Sequence, residues 1–177
     1  MSANQSDNTQ YWTKEDYIEA MLKSQLEWDK FYIGLARYIS TKSKDPSTKT
    51  GAVIVRPDKS VCSVGFNGFP QRMPDKKDLY ANREEKYSRI IHCEMNALMF
   101  SRDEAHKGYT VYTWPFISCD RCFVHLVQAG IVRFVAPQAT EEQLTRWGAA
   151  FERVRSYAKD TGVEVVELPR VLLSEEQ

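Results

Sequence analysis

The sequence predicts an α/β fold, a three-layer sandwich in which a central, mostly parallel five-stranded sheet carries helices on both faces. Residues 51–55 form a continuous apolar run, which is typical of a strand buried on both faces of its sheet. After a first hairpin, short apolar segments alternate with longer helical ones, an order typical of parallel strand pairing. A chain of 177 residues is long enough to bury such a core in one domain.

Two kinds of signal indicate helices: apolar residues that repeat on one face, and a residue that typically ends a helix. Phe31, Leu35 and Tyr38 give the first segment an apolar stripe, and Gly130 suits the position after the end of the third. Helices are predicted over residues 16–39, 92–100, 119–129 and 141–159.

The strands are short apolar runs bounded by turn residues. The turn at residues 57–59 joins the first strand to its hairpin partner. Strands are predicted over residues 51–55, 60–66, 109–114, 131–136 and 163–168. Pro46 favours a loop at residues 42–49. Residues 67–78 are predicted to form a long loop, and loops of that length in compact domains are often functional.

Charge and hydropathy restrict the classes of partner. The formal net charge is 0, which argues against a broad surface for nucleic acid. No apolar stretch approaches the roughly 20 residues that span a bilayer. Residues 1–10 are polar and lack the layout of a secretory signal, so we expect a flexible tail there, a single domain over residues 11–177 and a cytoplasmic protein.

A histidine and a pair of cysteines have the spacing of a zinc site. His92 is followed two residues later by Glu94, and Cys119 and Cys122 are three residues apart at a predicted helix start. In a reducing compartment such a cysteine pair indicates metal binding rather than a disulfide. One imidazole and two thiolates leave the fourth zinc position open, the pattern of a catalytic site. The arrangement resembles the signature of zinc-dependent nucleobase deaminases.

Glu94 is the predicted catalytic group. A carboxylate beside the open zinc position can accept a proton from water, deliver it to N3 of a cytosine ring and help to protonate the departing amine. The alternative is a closed structural zinc site with an incidental acid. It needs a fourth protein ligand, for which the chain offers Cys62, Cys93, His106 and His125.

Three segments resemble the deoxycytidylate (dCMP) deaminases, namely residues 43–55, 65–70 and 92–97. The resemblance implies a cytidine deaminase-like fold, one zinc ion and the conversion of dCMP to dUMP with release of ammonia, which feeds dTMP synthesis. It also implies a homo-oligomer, usually a hexamer. Activation by dCTP and inhibition by dTTP, with Mg²⁺ accompanying the triphosphate, are the regulation that the resemblance implies.

The resemblance also implies roles for single residues. Asn67 matches a sugar-hydroxyl contact, although asparagine also suits a turn. Ala52 matches a position whose backbone contacts the base, although it can simply pack in its strand. Gly68 and Phe69 match the loop that binds the effector, although Gly68 also suits a turn.

The phosphate of a nucleotide needs cations or backbone donors. Lys44, Lys49 and Arg121 are the candidates near the predicted site in sequence, and Arg121 lies at a helix start. Each is also compatible with an ordinary solvated surface charge.

One departure from the family pattern lies beside the metal motif. Relatives usually have proline immediately before the first cysteine, whereas this chain has Ser118 there and Pro115 three residues earlier. Ser118 is therefore a candidate cap for the following helix.

Two alternative functions stay open. One is a deaminase of free cytidine, guanine or tRNA, of which the tRNA enzyme is disfavoured by the neutral composition. The other is an inactive nucleotide sensor, which the presence of Glu94 and all three metal ligands disfavours.

Overall fold

The computed structural model describes residues 13–174, so the predicted tail at residues 1–10 lies outside the described residues. One five-stranded sheet has the order β2-β1-β3-β4-β5. The strands, in chain order, are β1 (Gly51–Val55), β2 (Val61–Phe66), β3 (Tyr109–Trp114), β4 (Ile131–Pro137) and β5 (Glu164–Leu168).

Six α-helices and one 3₁₀ helix accompany the sheet in the described residues. They are α1 (Lys14–Ser40), α2 (Lys77–Ala81), α3 (Arg83–Arg89), α4 (Cys93–Phe100), α5 (Asp120–Ala129), α6 (Glu141–Thr161) and the 3₁₀ helix η1 (Arg170–Leu173). The four predicted helices are confirmed to within two residues at each end, a difference that fraying ends explain. Helix α2 begins inside the predicted loop at residues 67–78, and α3 is an element that the sequence reading did not include.

The sheet is mixed, where a mostly parallel one was expected. Strands β3, β4 and β5 are parallel to one another, but β1 is antiparallel to both β2 and β3. The hairpin β1–β2 therefore joins the parallel half through an antiparallel pairing of β1 with β3. Alternation of strands and helices along the chain does not report this direction, because β1 and β3 are not consecutive.

Helices cover both faces of the sheet, as predicted. Alternate residues of β1 point to opposite faces, so Val53 packs with α1 while Ile54 packs with α4 and α5. One core cluster joins α1 to the sheet, and the other joins α4, α5 and α6 to the opposite face. Within residues 13–174, no helix combines the length and apolar character that crossing a bilayer requires.

Gly65 allows α4 to approach the sheet closely. A Cβ atom at this position would lie 2.3 Å from the carbonyl oxygen of Cys93 and 2.4 Å from the backbone nitrogen of Ala97. No side chain fits at that separation. The glycine in β2 therefore sets the depth at which the first turn of α4 lies against the sheet.

Candidate active site

The metal-ligating side chains lie at two helix starts. His92 is the N-cap residue of α4, and Cys119 is the N-cap residue of α5 with Cys122 one turn further on. Cys119 Sγ accepts a hydrogen bond from the backbone nitrogen of Cys122 at 3.5 Å. The two helix starts converge, so one imidazole and two thiols share one point in space.

The donor geometry fits a zinc ion. The ligand atoms of His92, Cys119 and Cys122 all lie within 4.8 Å of one another, and His92 Nδ1 is 3.4 Å from each sulfur. Zn–N and Zn–S bonds of about 2.0 and 2.3 Å at a tetrahedral angle place the nitrogen about 3.5 Å from each sulfur. Among the described residues no other group of His, Cys, Asp and Glu side chains is placed to hold a metal ion. The fourth ligand of a closed site is therefore not supplied by Cys62, Cys93, His106 or His125.

Hydrogen bonds within the cluster shift the pKa values of its three side chains. The Cys122 thiol donates to Cys119 and lowers the pKa of Cys119 to about 4, an effect that burial opposes and the His92 ring strengthens. The same contact raises the pKa of Cys122, and burial adds to it. The contact with Cys119 raises the pKa of His92 to about 9. Zinc would displace the protons of His92 and Cys122, because metal ligands bind in their deprotonated forms.

Glu94 lies in the first turn of α4, is buried, and faces the same cavity as His92 and Cys119. Its Oε2 accepts a hydrogen bond from Cys93 Sγ at 3.1 Å. Burial is the main cause that raises the pKa of Cys93 well above its ordinary value, so Cys93 stays a thiol and donates. The Cys93 thiol is a weak donor and occupies only one acceptor position of the Glu94 carboxylate. The remaining positions can accept a proton from the cavity.

Ser118 does not cap α5. Cys119 takes that position, and the Ser118 hydroxyl is buried without a hydrogen-bond partner among the described residues. The chain reaches α5 through a cis peptide bond between Trp114 and Pro115. Proline is thus present in the turn but three residues earlier than in the family pattern.

A cavity of about 370 Å³ is lined by His92 and Cys119 of the metal-ligating cluster and by Glu94. This volume lies within the range of small-molecule sites. Aromatic rings form much of its wall, and they come from α3, from the end of β3 and the turn that follows it, and from α6: Tyr87, Trp114, Phe116, Trp147 and Phe151. Phe116 packs against Trp147 with ring centroids 4.8 Å apart, so the turn after β3 and α6 hold this wall together.

Asn67 lines the cavity but uses its side chain within the protein. Its Oδ1 accepts from the backbone nitrogen of Thr50 at 2.8 Å, and its Nδ2 donates to the carbonyl oxygen of Thr48 at 2.8 Å and to Asp45 Oδ2 at 3.3 Å. These bonds make Asn67 a clamp for the loop at residues 45–50. Its one unused acceptor lone pair is what remains for a ligand.

The other predicted substrate residues do not line this cavity. Lys44 is exposed and pairs with Asp75 at 2.7 Å. Lys49 is exposed outside the cavity, and Arg121 lies in a separate groove between α5 and α6. Ala52 of β1 is buried in the sheet between β2 and β3, so its side chain packs in the core.

The predicted effector residues lie next to the cavity. Gly68 forms an isolated antiparallel bridge with Ile91, directly before the metal-ligating histidine. Phe69 stacks on Tyr80 of α2 with ring centroids 4.1 Å apart. The segment after Asn67 is therefore attached to both ends of the α2–α3 region.

Three cations that line the cavity were not predicted from the sequence. They are Arg83 and Lys86 of α3 and Arg146 of α6. One signal for Arg83 exists in the sequence, since Tyr87 stands four residues later, the spacing at which helix neighbours meet. Arg146 has no such signal beyond its adjacency to Trp147.

Comparisons with known proteins agree with the geometry. The family model described as the cytidine and deoxycytidylate deaminase zinc-binding region matches residues 26–137, which include all three candidate metal ligands and Glu94. An uncharacterized deaminase from the luxG 3′ region of Aliivibrio fischeri is 36% identical over 147 residues, covering 83% of this chain and 97% of that protein. The deoxycytidylate deaminase of Mus musculus is 32% identical over 111 residues, which are 60% of this chain and 62% of that protein.

A solved structure shares the architecture. The dCMP deaminase of the cyanophage S-TIM5 in its apo form superposes with a TM-score of 0.61 and 23% identity, covering 80% of this chain and 98% of the phage protein. At this identity the likeness concerns the fold. It confirms the predicted cytidine deaminase-like architecture.

Proposed function

The chain belongs to the zinc-binding cytidine and deoxycytidylate deaminase family, and on this basis we propose that it hydrolyses dCMP to dUMP and ammonia. The observation that carries the proposal is the meeting of three elements in one cavity. His92 and Cys119 of the His-Cys-Cys cluster, a buried carboxylate and a cationic, aromatic wall all face the same space. The curated deoxycytidylate deaminases among the relatives support the choice of dCMP.

The zinc ion would be held by His92, Cys119 and Cys122, and it would lower the pKa of a bound water enough to supply hydroxide near neutral pH. Glu94 accepts the proton of the attacking water, passes it to N3 of the cytosine ring and then helps to protonate the leaving amine. Glu94 is buried, and the low local dielectric constant there strengthens its hydrogen bonds to the water and to the ring. The aromatic wall offers stacking surface for a pyrimidine ring.

The Glu94→Gln variant tests this assignment. We expect it to retain one zinc per chain while its turnover of dCMP falls by about 100-fold or more, since the amide cannot carry the proton. The measurement is ammonia release from dCMP together with zinc content by atomic absorption. The control is Glu104→Gln, which changes an exposed acid outside the cavity. Normal turnover by Glu94→Gln would refute the catalytic role.

The same assay separates the alternatives. A wild-type preference for deoxycytidine over dCMP would point to a nucleoside deaminase. Zinc-loaded protein that releases no ammonia from dCMP, with or without dCTP, would point to a nucleotide sensor.

We also propose regulation by dCTP as activator and dTTP as inhibitor, each accompanied by Mg²⁺. What supports it is the bridge between Gly68 and Ile91, the residue just before His92, and the stacking of Phe69 on Tyr80 of α2. Sigmoidal dependence of the rate on dCMP that dCTP makes hyperbolic is the expected behaviour of a two-state oligomer. Rates unchanged by both triphosphates would remove the proposal.

A homo-oligomer, proposed as a hexamer, is the corresponding assembly. Large apolar side chains are exposed on α1 and α4, among them Tyr17, Leu22, Met99 and Phe100. The two groups lie on opposite faces of the sheet, and exposed apolar side chains on either face are candidate interface residues. Light scattering coupled to gel filtration gives the subunit number, and a monomer at all concentrations would contradict the proposal.

In the cytoplasm, where we propose that the protein acts, its product dUMP would enter dTMP synthesis.

A further inference from the structure

Two arginines line the cavity without an acidic partner. Arg83 of α3 and Arg146 of α6 are both exposed, and among residues 13–174 neither forms an ion pair. The third cation of the wall differs from them. Lys86 is buried and contacts Asp45 at 2.7 Å, so its charge is already matched.

An aromatic ring supports each of these arginines. The guanidinium carbon of Arg83 lies 5.2 Å from the ring centroid of Tyr87, and that of Arg146 lies 4.9 Å from the ring centroid of Trp147. Both rings also belong to the cavity wall. Stacking on a ring restricts the guanidinium plane, which reduces the entropy lost when its donors bind a ligand.

The chemistry of this pair matches a phosphate group. A guanidinium presents paired N–H donors that bind phosphate oxygens in a bidentate manner. The carboxylates of the same wall do not compete, because Asp45 is bound by Lys86 and Glu94 is buried beside Cys93. The lysines and the arginine expected from sequence lie elsewhere, at Lys44, Lys49 and Arg121.

We propose that Arg83 and Arg146 bind the 5′-phosphate of the substrate and make the enzyme selective for nucleoside monophosphates over nucleosides. This deepens the proposed function and rests on it. The α3 and α6 helices thereby recognise the phosphate, while α4 and α5 carry the metal ligands and Glu94.

The test compares Arg83→Gln and Arg146→Gln with the matched control Arg121→Gln. All three positions are exposed on helices, and glutamine is a good helix former, so we expect each variant to fold. For Arg83→Gln and Arg146→Gln, kcat/KM for dCMP should fall by about 10-fold to 100-fold each, since each loses a charge-assisted contact. Their slow turnover of deoxycytidine should stay unchanged, and Arg121→Gln should resemble the wild type for both substrates. Arg146→Lys keeps the charge but loses the planar fork, so it should recover only part of the loss.

Binding of dUMP and of deoxyuridine by calorimetry gives a second readout that does not depend on turnover. Both glutamine variants should bind dUMP about 10-fold or more weakly while their affinity for deoxyuridine matches that of the wild type. Unchanged dUMP affinity in both variants would overturn the inference, as would a loss that is equal for dUMP and deoxyuridine or a loss confined to Arg121→Gln. A wild type that binds dUMP through these arginines but releases no ammonia would refute the proposed activity and leave phosphate recognition standing.

Discussion

Lys86 directs its buried ammonium group to partners inside the protein. It contacts both carboxylate oxygens of Asp45, at 2.8 and 2.7 Å, and Ser47 Oγ at 2.6 Å. Asp45 in turn accepts from the backbone nitrogens of Ser47 and Thr48 and from Asn67. This network attaches α3 to the loop at residues 45–50, so a single buried pair positions the helix that carries Arg83.

Breaking this pair should destabilise the protein in a pH-dependent way. We expect Lys86→Met to lower the free energy of unfolding at pH 7 by about 3 kcal/mol, because it leaves a buried carboxylate uncompensated. Burial acts to raise the pKa of Asp45, but hydrogen bonds from Lys86 and the loop lower it overall from its ordinary 3.8. The stabilisation is therefore complete above about pH 4 and is lost as the pH falls through the folded-state pKa. Urea unfolding of wild type and variant between pH 7 and 3.5 should show the gap narrowing below pH 4.

Lys44→Met is the matched control for this measurement. Lys44 and Asp75 also form a lysine–aspartate pair at 2.7 Å, but the Lys44 side chain is exposed. Exposed pairs contribute little, so we expect a change below about 1 kcal/mol. A comparable loss of unfolding free energy in both variants would show that the contribution of the Lys86 pair does not depend on its burial.

The residues of the metal cluster were predictable from sequence, and the phosphate-binding candidates were not. His92, Cys119 and Cys122 belong to short motifs, so a few positions of spacing define them. Arg83 and Arg146 come from helices far apart in the chain and meet only at the cavity. The family model also ends at residue 137, before α6 begins.

At the scale of elements, the position of α4 depends on the glycine in β2. We expect Gly65→Ala to lower the free energy of unfolding by about 2 kcal/mol and to weaken zinc retention, because the new Cβ overlaps the α4 backbone that follows His92. Urea unfolding and zinc content after dialysis are the measurements.

Gly34→Ala serves as the control for the effect of adding a methyl group. Gly34 lies within α1, and a Cβ there meets nothing within 4 Å. Alanine is the better helix former, so stability should rise by about 1 kcal/mol and zinc retention should stay unchanged. If Gly65→Ala behaved in the same way, the close approach of α4 to β2 would not be what fixes the start of α4.

Local sequence patterns predicted most elements, and each element or pairing that they missed has an identifiable cause. Gly130 ends α5 with φ of 106°, in the left-handed region expected for a glycine in that role. Helix α3 was missed because it is short and mostly charged, with its start fixed by the Asn82 side chain and its depth by Lys86. The antiparallel pairing of β1 with β3 was missed because strand direction is set by tertiary packing.

At the scale of the whole molecule, the metal cluster joins α4 to α5. His92 comes from the start of one helix and the two cysteines from the start of the other, 27 residues further along the chain for the nearer cysteine. A ligand that binds only the folded state stabilises it by mass action. Zinc binding therefore contributes to folding as well as to chemistry.

Removal of zinc should lower the melting temperature by several degrees, and the shift should grow with the free zinc concentration at which the holoprotein is compared. Thermal melts in zinc buffers and after chelation are the measurement. Mg²⁺ should not restore stability, since thiolates bind it poorly. Identical melting curves with and without zinc would contradict a cluster that holds the two helices together.

The helices around the cavity divide their tasks in a way that bears on evolution. The reacting groups come from α4 and α5, which are packed against the sheet, whereas the cationic wall comes from α3 and α6. The exposed cations Arg83 and Arg146 can therefore be substituted without changing the metal ligands or Glu94, which lie on other helices. A lineage built on this scaffold can change which pyrimidine compound it accepts while it keeps the same way of removing the amine.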